Sequence, residues 1–195
     1  MKNKIARIVS VIFVPPSFTI ILFTGFAFIL ENEVSKRLVL ILTALTFGFL
    51  FHIILFFYLR RKGMLSDGDA SIKEERTLPY IAASLFYLAG LIILLYFEVN
   101  IISIAFWFCY ISNTILIMLI NKSWKISAHT MGASGAAAAL YFIIGWKIIF
   151  LIPLIALIGW SRYQLKLHDI KQITAGALTG FASVFLQMYF IIYSL

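Results

Sequence analysis

The sequence predicts an all-α protein, a polytopic bundle of transmembrane helices with about six to seven spans. Hydrophobic residues make up 63% of the 195 residues and charged residues only 12%, whereas soluble domains average about 25% charged residues. The apolar residues form runs of about 20 residues, the length that crosses a bilayer core, and short polar loops separate them. We therefore expect one integral-membrane domain over residues 1–195.

Composition also excludes several classes of function. The single cysteine, Cys109, lies inside an apolar run, which leaves neither a disulfide framework nor a zinc cluster. The net charge of +8 is carried by the loops, where it suits anionic lipid headgroups or an anionic substrate. No loop interleaves basic with aromatic residues, so we expect a membrane partner and no nucleic acid.

The first half of the chain contains four apolar runs of spanning length, at residues 8–30, 38–59, 78–97 and 101–120. In the first run, Pro15 and Pro16 either kink the helix or divide a short entry piece from the main span. The longest polar stretch, residues 63–77, separates the second run from the third. Pro79 opens the third, where the first turn of a helix tolerates proline.

The second half predicts a helical hairpin followed by a last helix. Two apolar arms, residues 129–144 and 148–160, flank a turn at Gly145-Trp146-Lys147. The last helix covers residues 172–193. It carries Gly176 and Gly180 in GxxxG spacing, which lets helices approach closely in lipid.

Three polar loops, at residues 63–77, 121–128 and 161–171, are separated from each other by two predicted spans. They therefore lie on the same side of the membrane. The basic amino terminus indicates a cytoplasmic start by the positive-inside rule, which places these loops in the cytoplasm of a prokaryotic cell with an inner membrane. A first run that does not cross as one helix reverses this orientation.

These loops gather cationic and nucleophilic side chains without a cluster of carboxylates: His129, His168, Arg76, Arg162, Lys73, Lys125 and Ser127. Arginine binds phosphate bidentately and lysine adds a point charge. Histidine beside a bound anion indicates acid–base or nucleophilic chemistry on that anion. We expect an anion site that uses neither a metal nor a cofactor.

The stretch Ser161-Arg162-x5-His168 resembles the third signature of the phosphatidic acid phosphatase type 2 superfamily, written SRxxxxxHxxxD. Two further stretches resemble the other signatures in the same order. Ser127-Ala128-His129 is similar to the second, PSGH, and Arg76-Thr-Leu-Pro79 to the end of the first, KxxxxxxRP. The resemblance covers residues 73–180.

Four departures from these signatures bear on the chemistry. Ile126 and Ala128 replace the proline and glycine of the second signature. Asp69 stands seven residues before Arg76, at the position where the family has lysine. Lys73 or Lys125 is therefore the candidate substitute for that lysine. Gln172 stands where the family has the aspartate that orients the nucleophilic histidine.

The resemblance implies a metal-independent phosphatase acting on a lipid phosphate or diphosphate. His168 would attack phosphorus and form a phosphohistidine, while His129 would protonate the leaving alcohol and then activate water. The phosphate oxygens would be held by Arg76, Arg162, Ser127 and a lysine. Gln172, one helical turn after His168, can accept its Nδ1–H bond but cannot stabilise an imidazolium as a carboxylate does.

Three alternatives stay open at this point. The same histidines serve a transferase that passes phosphate to another alcohol. The altered signatures, Gln172 above all, also suit a lipid-phosphate-binding protein without catalysis. A transporter would place ionisable groups deep inside spans, as His52 in the second span does, although one histidine bonded to a neighbouring helix explains that residue as well.

Overall fold

The computed structural model describes residues 1–70 and 72–194. This part of the chain is 84% helical and contains no strand, which confirms the predicted all-α class. Nine α-helices follow each other along it: α1 (Lys2–Ile12), α2 (Pro15–Leu30), α3 (Val34–Thr43), α4 (Phe51–Arg61), α5 (Thr77–Tyr96), α6 (Ile101–Ser123), α7 (Ala128–Ile144), α8 (Ile152–Gln164) and α9 (Ile170–Ser194). A π-helical segment, Ala44–Leu50, joins α3 to α4 in one continuous helix.

By length and hydropathy, five helical segments of the described chain are able to cross a membrane, or six if the bent pair of α1 and α2 is one span. One of the five is the continuous segment Ala128–Gln164, which is 37 residues long. This segment reverses direction, so it forms the two arms of the hairpin that the sequence predicts. The protein is therefore an integral membrane protein of helical-bundle type.

The reversal is made at Gly145, whose φ of +62° is a conformation that only glycine adopts readily. A short 3₁₀ segment, Gly145–Leu151, carries the chain into α8, where Pro153 occupies the first turn. A Cβ on Gly159 of α8 would lie 3.6 Å from Thr130 Cγ2 near the start of α7. The returning arm is thus antiparallel to α7, and it runs from Ile152 to Gln164 rather than over 148–160.

The described chain forms two compact units, and their boundary falls within α2. Unit 1 comprises residues 1–18 and 125–195, and unit 2 comprises residues 19–124. The expectation of a single domain stays a prediction.

Unit 1 is built on the close packing of α7 against α9. A Cβ on Gly180 would lie 2.2 Å from the backbone oxygen of Met131, and one on Gly176 would lie 2.6 Å from that of Ser127. Only glycine permits such distances, so the GxxxG face packs as the sequence predicts. The amino-terminal helix α1 packs against α8 in the same unit.

The first predicted run is divided rather than continuous. The helix stops at Ile12 and restarts at Pro15, with a bend of 53° between α1 and α2. Proline lacks the N–H that would continue the hydrogen-bond ladder, and it starts a helix well. Of the two interpretations of Pro15-Pro16, the separate entry piece is therefore the one observed.

Unit 2 packs α5 against α6 around Trp107, whose Nε1 donates to the backbone oxygen of Tyr87 over 2.7 Å. At one end of the pair, the Glu31 carboxylate accepts from the backbone N–H of Asn100 over 2.6 Å. At the other end, Lys73 Nζ donates to the backbone oxygen of Lys122 over 3.3 Å. The loop before α5 and the end of α6 therefore lie at the same end of unit 2.

Candidate functional site

The helix starts of α7 and α9 form the floor of the candidate site in unit 1. The backbone N–H of Ser127 donates to the backbone oxygen of Gln172 over 3.2 Å. One turn further, Thr130 Oγ1 donates to the backbone oxygen of Ile173 over 3.0 Å. These bonds lock the loop before α7 to the first turn of α9, as expected for polar loops on one side of a hairpin.

Ser127 is the N-cap of α7. Its buried hydroxyl oxygen accepts from the backbone N–H of Thr130 over 3.4 Å, the interaction that serine provides at helix starts. The cap places His129 in the first turn of α7, where the sequence predicts it. The hydroxyl hydrogen of Ser127 remains available to donate, so capping is compatible with contact to an anion.

His168 and Gln172 meet as their spacing predicts, although His168 does not belong to a helix. His168 Nδ1 lies 2.9 Å from Gln172 Oε1. His168 precedes the N-cap of α9, Asp169, whose Oδ1 accepts from the Gln172 backbone N–H over 2.8 Å. An amide oxygen only accepts hydrogen bonds, so His168 Nδ1 carries the hydrogen and Nε2 is the basic nitrogen. The Asp169 carboxylate therefore caps the first turn of α9, and it is Gln172 that orients the His168 ring.

Arg162 and His168 are linked through the turn that ends α8. The backbone oxygen of Arg162 accepts from the N–H groups of Leu167 and His168, over 3.0 and 3.3 Å. Lys166 takes a positive φ of 56° to close this turn. Both Arg162 and His168 are buried, at 1% and 6% exposure. The Ser-Arg-x5-His spacing therefore corresponds to a compact turn in which the Arg162 guanidinium and the His168 imidazole are both buried.

Ser10 of α1 joins the two histidine-bearing segments, and sequence reasoning missed it. Its hydroxyl accepts from Arg162 Nη1, and its backbone oxygen lies 3.2 Å from His129 Nε2. Ser10 is 2% exposed, on the face that α1 turns inward. A lone serine inside an apolar run, four residues after Ala6, was the available signal for a buried helix face. This signal becomes informative only because the chain breaks before Pro15-Pro16, which makes α1 a separate helix with its own buried face.

Arg76 and Lys73 lie in unit 2. Arg76 is 6% exposed, and its Nε donates to the backbone oxygen of Ala70 over 2.6 Å. Lys73 Nζ is 3.8 Å from the Glu74 carboxylate, besides its bond to Lys122. Lys125, the other candidate lysine, is half-buried at the start of the second segment of unit 1.

The charge of unit 1 is strongly positive. Its sequence segments contain eight lysines and arginines but only one acidic residue, Asp169. That carboxylate caps α9 through the Gln172 N–H. Among residues 1–70 and 72–194, no group of three or more histidine, cysteine or acidic side chains could hold a metal ion. The donor set is that of an anion site, and metal independence stays a prediction.

An apolar cavity of about 450 Å³ lies beside this cluster, between the start of α7 and helices α8 and α9. Its lining includes Thr130, which follows His129, and Tyr163, which follows Arg162. The remaining lining is largely aliphatic, with Ile155, Ala156 and Leu178 among its members. The polar cluster therefore adjoins a space suited to a hydrocarbon chain.

Comparisons of this chain with protein-family models, with curated proteins and with solved structures found no match. The family resemblance thus depends on the signature residues alone. In unit 1, the structure brings five predicted site residues into one turn-and-cap region: Ser127, His129, Arg162, His168 and Gln172.

Proposed function

We propose that this protein is a membrane-embedded phosphatase that hydrolyses a lipid phosphate or diphosphate through a phosphohistidine. The observation that supports it most is the hydrogen bond between His168 Nδ1 and Gln172 Oε1, next to the buried guanidinium of Arg162. This bond fixes the hydrogen on Nδ1, which makes Nε2 the nucleophile. Ser10 links the same arginine to His129.

The reaction proceeds in two balanced steps. His168 Nε2 attacks phosphorus, the bond from phosphorus to the leaving oxygen breaks, and His129 gives that oxygen a proton. Water then attacks the phosphohistidine, His129 takes a proton from that water, and inorganic phosphate leaves as the nitrogen–phosphorus bond breaks. Every proton that moves belongs to a side chain or to water, so the scheme needs no metal and no cofactor.

Cationic groups bind the phosphate oxygens in this proposal. Arg162 supplies a guanidinium in unit 1, and the signature resemblance implies the same role for Arg76. Ser127 adds a hydroxyl, and Lys73 or Lys125 adds a point charge. Burial of Arg162 favours this role, because a buried cation is stabilised by an anion that replaces its lost hydration.

The cavity between α7, α8 and α9 supports a lipid as the substrate. A hydrocarbon chain in that space would leave its phosphate near His129 and Arg162, the residues of the polar cluster that precede Thr130 and Tyr163. Both an acyl and an isoprenoid chain suit an aliphatic lining. We place the enzyme in a prokaryotic inner membrane. The basic residues of α1 indicate a cytoplasmic amino terminus, and the site faces the cytoplasm if α1 and α2 together form one span.

Gln172 favours one rival function, that of a lipid-phosphate-binding protein without catalysis. Its amide orients His168 but carries no charge to balance an imidazolium. The other rival, a phosphotransferase, uses the same histidines and differs only in the acceptor of the phosphoryl group. Product analysis separates it from a hydrolase.

Phosphate release by the purified protein in detergent tests the proposal. The substrate panel contains phosphatidate, lysophosphatidate, phosphatidylglycerol phosphate, and farnesyl and undecaprenyl mono- and diphosphates. His168→Ala is the test variant, and His52→Leu, at the histidine outside the signatures, is the matched control. Release by the wild type and His52→Leu but not by His168→Ala is expected. Absence of release from the whole panel by the folded wild type contradicts a hydrolase, and added alcohol acceptors then test transfer.

A further inference from the structure

The amino-terminal helix α1 has three faces of different character. The buried face, which packs against α8, consists of Ala6, Val9 and Ser10. A second face carries Ile5, Ile8 and Ile12 at spacings of three and four residues, which place side chains on one side of a helix. These three side chains are between 47% and 58% exposed. The described chain therefore leaves about half of this isoleucine face uncovered.

The third face of α1 is cationic. Lys4 and Arg7 lie on it three residues apart, Lys2 lies at the helix start, and all three are exposed. The segment 2–12 contains no acidic residue. A helix that separates basic residues from large aliphatic ones lies in the plane of the membrane interface, with its apolar face at the acyl chains and its cations at the headgroups. The composition of α1 is that of such an interfacial helix.

Helix α1 crosses the end of α8 instead of running alongside it. Asn3 Oδ1 accepts from Gln164 Nε2 over 2.9 Å, and the Ser10 hydroxyl accepts from Arg162 Nη1. The two contacts are separated by about 10 Å along α1 and by only about 3 Å along α8. A helix that lies across the end of a membrane-crossing helix is close to the plane of the membrane surface.

Helix α1 is also too short to be a span by itself. Its 11 residues extend over about 16 Å, whereas the hydrocarbon core is about 30 Å thick. The chain then bends by 53° into α2. Residues 13–30 carry no charge and approach the length of a short span. In this arrangement the residues after the bend take the chain across the bilayer, and α1 stays at its surface.

We propose that α1 is an interfacial helix that binds the anionic lipid headgroups of the bilayer through Lys2, Lys4 and Arg7. Its isoleucine face then lies among the upper parts of the acyl chains. Charge complementarity selects an anionic surface as the partner, because this helix carries three cations and no carboxylate. Each lysine or arginine near an anionic membrane strengthens binding about fivefold, and salt weakens the attraction.

The lipid-bound helix holds Ser10 in the candidate site. The Ser10 hydroxyl accepts from Arg162, and its backbone oxygen accepts from His129. Anionic lipid that fixes α1 on the membrane therefore fixes both contacts, so the charge of the bilayer regulates the site. This regulation of turnover rests on the proposed function, whereas the binding of α1 to anionic lipid does not.

Hydrogen–deuterium exchange of the purified protein in lipid nanodiscs tests the lipid contact without any need for turnover. One set of nanodiscs contains phosphatidylcholine alone, and the other contains equal amounts of phosphatidylcholine and phosphatidylglycerol. Phosphatidylglycerol is a phosphodiester, so it supplies negative charge without being a substrate of the proposed phosphatase. The measured quantity is the exchange rate of the backbone amides of residues 5–13, which are hydrogen-bonded in α1.

The variants remove charge at two exposed places. Lys2→Gln/Lys4→Gln is the test variant, and Arg61→Gln/Lys62→Gln, at the end of α4, removes the same charge as the matched control. We expect phosphatidylglycerol to slow exchange in α1 about tenfold in the wild type and the control, and at most about threefold in the test variant, which keeps Arg7. In Lys2→Glu/Lys4→Glu the anionic lipid should speed exchange, because the surface then repels the helix.

Three results overturn the lipid contact. Strong protection of α1 in both kinds of nanodisc, equal in all variants, would place α1 in the hydrocarbon core as part of a continuous span. Fast exchange in both kinds would show that α1 does not rest on the membrane. Equal slowing by phosphatidylglycerol in the wild type and the test variant would assign the effect to another part of the protein.

Phosphate release in the same nanodiscs separates lipid binding from catalysis. For short-chain phosphatidate, kcat/KM should be at least about threefold higher with phosphatidylglycerol in the wild type and the control, and the test variant should lose most of this difference. Slower exchange in a protein that releases no phosphate supports the lipid contact and contradicts the phosphatase. Release that depends on His168 but ignores lipid charge, with the exchange effect present, supports the phosphatase and overturns the regulation through Ser10.

Discussion

His129 Nε2 and the backbone oxygen of Ser10 lie 3.2 Å apart, which joins residues separated by 119 positions in the chain. A carbonyl oxygen only accepts, so His129 donates its Nε2–H to α1. The same serine accepts from Arg162 through its hydroxyl. The amino-terminal helix is therefore part of the candidate site, and it holds one histidine and one arginine in fixed orientations.

Replacing Ser10 by alanine tests this role. The variant loses the hydroxyl that accepts from Arg162 Nη1 and keeps the backbone oxygen that accepts from His129. We expect kcat/KM for the best lipid phosphate to fall about tenfold, since a hydrogen bond to a charged group contributes about 1.5–3 kcal/mol. The free energy of unfolding should fall as well, by about 1–3 kcal/mol, because both partners of the lost bond are buried, so turnover is measured well below the unfolding midpoint.

Ser17→Ala, on α2 just after the proline pair, is the matched control and should retain wild-type turnover. Vanadate inhibition gives a second measurement, because Ser10→Ala should weaken it in parallel with kcat/KM. Unchanged vanadate affinity together with unchanged turnover would contradict the role of Ser10 in orienting Arg162.

Gln172→Glu should raise turnover. The glutamine already places an oxygen 2.9 Å from His168 Nδ1, and glutamate has the same length, so the contact is kept while a negative charge is added. In the serine-protease triad, exchanging the carboxylate for an amide lowers turnover by about 10⁴. We expect an increase of at least about tenfold, measured as kcat for phosphate release.

Asp169→Asn is the control for the position of the charge. It tests whether any carboxylate near His168 affects turnover, or only one at position 172. Asparagine still caps α9 and removes the neighbouring carboxylate, so turnover in this variant should match the wild type. Turnover in Gln172→Glu at or below the wild-type rate would show that the site is adapted to a neutral partner.

Much of this arrangement follows from the sequence, and one part of it does not. Span length and glycine spacing predict the helices and the α7–α9 contact, because both depend on local composition. The contact between His168 and Gln172 follows from their spacing. Ser10 could not be predicted, since nothing in an apolar run tells which face of a short helix packs inward.

Gly180→Ala should destabilise the protein. The added Cβ would lie 2.2 Å from the backbone oxygen of Met131, so α7 and α9 must move apart. Overpacking of this kind costs about 1–3 kcal/mol. The midpoint of thermal unfolding in detergent, followed by circular dichroism, should fall by several degrees.

Gly25→Ala provides the control for this prediction. No atom lies within 4 Å of a Cβ at Gly25, in the interior of α2. Alanine is the better helix former, by about 1 kcal/mol, so the midpoint should stay unchanged or rise. Equal midpoints for Gly180→Ala and the wild type would contradict the tight α7–α9 contact.

Ala156→Trp should shift the preference of the proposed phosphatase toward short lipid chains. Ala156 lines the cavity of about 450 Å³, and an indole there occupies space that a long hydrocarbon chain would need. KM should rise about tenfold for lipid phosphates with long chains and change little for short-chain analogues, because the phosphate site is untouched.

Leu157→Trp is the matched control. Leu157 is the next residue on α8 and is not part of the cavity lining, so this variant should behave as the wild type. An equal change of KM for long and short chains in Ala156→Trp would indicate that the hydrocarbon chain binds elsewhere.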